Sequence, residues 1–182
     1  VNPQGKIFIL GHYDAAYTLD ISGTGTITKY QTTKPKAGRW ELPSVMFSPG
    51  KILSLRRNKI AVIVNINGNG DPSVTSAGTV SMERLYGNTT VLADGKVWVN
   101  GGSSSGNNLT GATLTSELWN PITNTWTATA NASEVRLYHS ASILLPDATV
   151  MTGGGGATGG GTTGGGGATG GGATGGGATG GG

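Results

Sequence analysis

The sequence predicts an all-β chain built from repeated antiparallel hairpins, and three observations predict it. Up to about residue 152, Val, Ile, Leu, Thr, Trp and Tyr dominate, with Gly, Asn, Asp or Pro every few residues, the pattern of short strands joined by tight turns. No segment reads as a helix. One unit, an arginine, a short polar stretch, an apolar strand, a tight turn and a second apolar strand, occurs at residues 39–53, 84–98 and 136–150. Its turns recur at roughly 45 to 50 residues, the spacing of four-stranded propeller blades. The expected fold is therefore an incomplete β-propeller of about three blades over residues 1–152, followed by a glycine-rich, low-complexity tail over residues 153–182.

The elements justify themselves in order. A truncated copy opens the chain, where Gly5 and Lys6 precede the apolar run Ile7 to Leu10. The first full copy turns at Pro49-Gly50, and Ile60 to Ile66 then reads as a continuous apolar strand entering the polar loop 67–71. The second copy turns at Asp94-Gly95. Gly50 and Gly95 supply the positive φ that a tight hairpin demands. In the third copy Ala148 stands at the glycine position without that freedom, so a different turn type is expected there, built on Pro146 and Asp147.

The strand Lys96 to Asn100 leads into Gly101 and Gly102, a polar loop, and then Ser116 to Trp126, which contains Trp119, Pro121 and Asn124. A glycine pair after one strand, followed by an aromatic, Asn-Pro, Thr and Trp, resembles the kelch repeat. In that reading the glycines let backbones crowd near the propeller axis, Pro121 and Asn124 shape a hairpin, and Trp119 and Trp126 fill space between blades. The opening copy has Gly11-His12 in place of the pair, and His12 reads as a structural or loop residue. Three blades and part of another do not close a ring of four to eight, so missing blades, self-association or another chain must complete it.

The third copy resembles a segment of the copper radical oxidases, the family of galactose oxidase and glyoxal oxidase. The residues that carry the likeness are Tyr138-His139, the strand ending Leu144-Leu145-Pro146-Asp147, and the glycines from Gly153. The resemblance implies that Tyr138 is an axial copper ligand and the catalytic proton acceptor, and that His139 is an equatorial ligand. An imidazole nitrogen suits Cu(II), and a metal-bound phenolate can take the proton of an alcohol. The other two copies place Leu42 and Gly87 where His139 stands, while Tyr86 matches Tyr138, a position that can equally be read as packing between blades. Neighbouring strand residues point to opposite faces, so both donors reach one ion only where the backbone bends. The family's Tyr-Cys cofactor has no counterpart in a chain without cysteine, and its second copper histidine lies in a later domain. Copper is thus expected in a complete protein and not in this chain alone.

Other classes are poorly supported. The net charge of +3 is spread thinly, and the patch Arg56, Arg57, Lys59 does not amount to a nucleic-acid footprint. No apolar stretch reaches the ~20 residues of a membrane span. Three glycosylation sequons, at Asn88, Asn108 and Asn131, suit an extracellular or cell-surface protein. There is no nucleophile elbow, phosphate-binding loop or zinc spacing. The tail, runs of Gly separated by Ala-Thr or Thr-Thr, has nothing to build a core and reads as a linker, an assembly element or non-native sequence. A five-residue period excludes the collagen triple helix.

Two functions remain open. One is the middle of an extracellular copper radical oxidase that oxidises alcohols or aldehydes and reduces O2 to H2O2. The other is a non-catalytic kelch module for adhesion, carbohydrate contact or fibre-like assembly through the tail.

Overall fold

The computed structural model describes residues 1–10, 15–30 and 41–156. His12, Arg39 and all of the tail beyond Gly156 lie outside the described residues. The chain divides into two compact units, Val1–Ser81 and Met82–Gly182.

The first unit holds two antiparallel meanders. Strands β1 (Ile7–Leu10), β2 (Ala16–Asp20) and β3 (Thr26–Tyr30) form a three-stranded sheet in sequence order, and β4 (Ser44–Ser48), β5 (Lys51–Leu55), β6 (Ile60–Asn65) and β7 (Ser73–Thr79) form a four-stranded one. The apolar runs of β5 and β6 are nearly continuous because these central strands are buried on both faces, whereas β4 and β7 stay largely open. Ile52, Val62, Val64 and Ile66 make a buried cluster, and Phe8 of β1 packs against it, so the two meanders share one core. The described helical content is a single 3-10 turn, Arg57–Lys59.

The second unit repeats the plan. Strands β8 (Asn88–Val91), β9 (Val97–Asn100), β10 (Thr115–Asn120) and β11 (Thr125–Asn131) form a four-stranded meander, and β12 (Ser140–Leu144) pairs with β13 (Val150–Gly154). The innermost strands β8 and β12 lie side by side and are tied through side chains: Asn88 Nδ2 donates to Ser140 Oγ (2.7 Å), and the Thr90 and Ser142 hydroxyls are 2.6 Å apart. Trp119 and Trp126 are cross-strand partners, Trp119 is fully buried, and its indole N–H donates to Asn124 Oδ1 (3.1 Å) at φ +54° in the β10–β11 hairpin.

The glycine pair has the role that its sequence context implies. At Gly102 (φ +91°) a Cβ would lie 2.8 Å from the Cα of Arg84, and at Gly101 (φ +64°) one would lie 2.5 Å from the carbonyl of Arg136. Neither position has room for a side chain.

The third-copy turn corrects an expectation. Ala148 adopts φ +65°, close to the +79° of Gly95, and the same bonds close both turns. Leu145 N donates to Thr149 O (2.8 Å) and Ala148 N to Leu145 O (3.0 Å), matching Leu92 to Lys96 and Gly95 to Leu92. Asp147 explains the shared geometry: its Oδ1 accepts from the Thr149 amide (3.0 Å), as Asp94 Oδ1 accepts from Lys96. The aspartate and the strand register hold the left-handed residue although it is alanine, so the turn type does not change.

Candidate functional site

Tyr138 and His139 lie in the turn that leads into β12. Leu137, buried at 1% exposure, anchors its first corner, and the Leu137 carbonyl accepts from the Ser140 amide (2.9 Å). His139, third in that turn, has φ +63°, a left-handed conformation that is costly for a residue with a Cβ. Facing it, a Cβ at Gly155 would lie 3.1 Å from Leu137 N and one at Gly154 3.0 Å from His139 O. The glycines that open the tail thus serve as the close-approach pair of this hairpin. Asn107 fixes the turn from outside by accepting the Tyr138 amide on Oδ1 (3.2 Å), and Arg136 Nη1 donates to Gly154 O (3.0 Å).

The bend brings the two side chains together. The Tyr138 and His139 rings stack at 3.7 Å between centroids, 28° from parallel, and the edge of Tyr86 meets Tyr138 at 5.3 Å and 75°. Tyr138 is 39% exposed and His139 is exposed. Neither the Tyr138 hydroxyl nor the His139 imidazole has a hydrogen-bond partner among the described residues. An open phenol oxygen and an open imidazole nitrogen side by side suit copper as part of a donor set. They are not a whole one: among the described residues no three His, Cys, Asp or Glu side chains come together, and the chain has no cysteine.

The hydrogen bonds correct the internal alignment by one residue. Ser103 N donates to Leu85 O (2.9 Å) as Gly156 N donates to Tyr138 O (3.2 Å), and the turn from Arg84 O to Gly87 N (3.1 Å) matches the turn from Leu137 O to Ser140 N. Tyr138 therefore occupies the place of Leu85 rather than Tyr86, and His139 that of Tyr86, which has φ +60°. Gly87, and with it Leu42, matches Ser140. The third copy carries one residue more between its arginine and its hairpin turn, so matching on the arginines slips the register. Sequence reasoning also missed Tyr86 as a neighbour of Tyr138. The Leu-Tyr doublet at 85–86 and 137–138 signalled a repeat, not a contact.

With fold and site in view, the chain's antiparallel four-stranded sheets match part of a kelch-type propeller of the galactose oxidase kind. Two galactose oxidases from Gibberella zeae are each 35% identical to it over 174 residues, covering 84% of this chain and 25% of the relative. A solved fungal alcohol oxidase, described as showing catalytic diversity among the AA5 family and in complex with copper, matches with a TM-score of 0.77 at 28% identity, over 84% of this chain and 34% of its own. YjhT, at 14% identity and a TM-score of 0.62 over 80% of this chain and 46% of its own, shows the fold alone. No family model matches the chain. The chain is a relative of galactose oxidase and the AA5 copper radical oxidases over 84% of its length, and it spans about a quarter of the curated relatives that it matches.

Proposed function

We propose that this chain is the propeller segment of an extracellular copper radical oxidase acting on primary alcohols or aldehydes, and that Tyr138 and His139 are two donors of its metal site. The observation that carries the reading is the stacked, unpartnered Tyr138–His139 pair on a strained turn, in a chain related to a copper-bound alcohol oxidase. Copper, once bound, supplies the one-electron chemistry that couples alcohol oxidation to reduction of O2. The chain's residues do the rest. His139 presents a ring nitrogen lone pair, and its positive φ aims the imidazole along the Tyr138 ring. Tyr138, as the phenolate, takes the hydroxyl proton of the alcohol on Oη. Tyr86 limits the rotation of Tyr138 by edge contact.

The test uses the native protein isolated from its source and loaded with copper. It should form peroxide with a primary alcohol, and His139→Ala should abolish this while the far-ultraviolet circular dichroism stays unchanged. An intact mass near 18 kDa, with no peroxide formed, overturns the oxidase reading. The incomplete donor set favours the second reading in that event: a non-catalytic kelch module closed by partners.

A further inference from the structure

The three sequons are not equivalent in the fold. Asn88 sits on the innermost strand β8, half-buried, with its amide nitrogen donating to Ser140 Oγ at 2.7 Å. Asn108 is half-buried in the loop after β9, with Oδ1 accepting the Thr110 amide (2.9 Å). Asn131 differs from both. It ends β11, the outer edge strand of its sheet; Asn131 and Ser133 are exposed, and the Asn131 side chain has no partner among the described residues. The position survives completion of the ring, because blades add against the faces of neighbouring sheets and leave each outermost strand in solvent.

We propose that Asn131 is an N-glycan attachment site and that Asn88 is not. The co-reactant is an oligosaccharide carried on a polyprenyl diphosphate. The Asn131 amide nitrogen attacks the anomeric carbon of its first sugar, and the new N–C bond forms as the bond from that carbon to the diphosphate oxygen breaks. The lipid diphosphate leaves with the electron pair, and the amide proton is released; nothing is oxidised or reduced. At Asn131 the added sugar extends into solvent from a sheet edge that it also shields from pairing with another strand. At Asn88 the same substitution consumes a donor hydrogen and puts a sugar between β8 and β12, breaking the tie to Ser140.

The experiment expresses the whole chain behind a cleavable secretory leader in yeast, isolates the secreted, protease-resistant fraction, and removes glycans enzymatically in heavy-oxygen water, so that each formerly occupied asparagine gains a mass label. Label at Asn131 in most molecules and none at Asn88 is the expected result, with Asn131→Gln and Ser133→Ala each losing that glycan. Chain retained inside the cell is mapped identically and must also carry label at Asn131. An unlabelled Asn131 in both fractions, or a labelled Asn88 in the secreted, resistant fraction, overturns the proposal. The readout is independent of copper and of oxidase activity.

Discussion

Replacing Arg84 by methionine removes a buried side chain that ties several segments of the second unit together. Its guanidinium is fully buried and Glu117 is nearly so; Nε and Nη2 donate to Glu117 Oε2 at 3.2 and 2.5 Å, Nη1 donates to Gly101 O and Nη2 to Thr115 O, both at 2.9 Å. One side chain thus holds together the segment before β8, the glycine corner after β9 and the start of β10. Methionine keeps much of the apolar stem but takes the guanidinium away from the buried Glu117 carboxylate and leaves the Gly101 and Thr115 carbonyls short of a donor. Breaking one partner of a buried pair costs about 3–5 kcal/mol, a large share of a typical domain stability of about 5–15 kcal/mol. With a urea dependence near ~2 kcal/mol per molar, the unfolding transition followed by tryptophan fluorescence should move down by ~1.5–2.5 M. Arg84→Met with Glu117→Leu removes both members of the buried pair, so the double variant should recover most of the loss. A loss below about 1 kcal/mol for Arg84→Met, or a double variant less stable than Arg84→Met alone, refutes the reasoning.

Ala148→Gly should stabilise the chain by about 1 kcal/mol in urea melts, since it keeps a φ of +65° and removes the Cβ that opposes it. Gly102→Ala should cost ~2–4 kcal/mol, because its Cβ would meet the Arg84 backbone, whereas Gly106→Ala, with nothing within 4 Å, should cost about 1 kcal/mol. His139→Gly should raise the melting midpoint followed by circular dichroism, since glycine accepts a φ of +63°, and on the proposed oxidase reading it should abolish peroxide formation by the copper-loaded protein. Asp20 is held down to about 2 by hydrogen bonds from the Ser22 hydroxyl and amide and by Lys6. A carboxyl depressed on folding contributes stability above its unfolded value near ~4, lost as pH falls through the folded one. Carboxyl NMR should therefore show Asp20 titrating near 2, and Asp20→Asn should remove that part of the acid dependence.

The hairpins were legible because their signals are local. Pro49-Gly50 and Asp94-Gly95 sit between apolar runs, and the pair Gly101-Gly102 marks a corner that no side chain could enter. The all-β architecture, the partial propeller and the oxidase kinship followed from the same text. What escaped depends on register or distance. The slip at Arg136 came from matching residue types where hydrogen bonds decide, and Ala148 kept a turn that its own preference opposes because Asp147 and the ladder outweigh about 1 kcal/mol of strain. The Arg84–Glu117 pair spans 33 residues of chain and has no local signature. Tyr138 and His139 were singled out by likeness and not by physics. The stack between them and the edge of Tyr86 could be seen only in three dimensions.

The matching turns at Tyr86 and His139 act as sockets. Each is framed by backbone bonds and a close-approach glycine pair, none of which depends on the side chain presented, so the residue in the socket can be exchanged while its aim is kept. Each blade that repeats the turn offers another such socket. The side chains that this scaffold presents can then change one residue at a time, on a backbone that has already absorbed the strain.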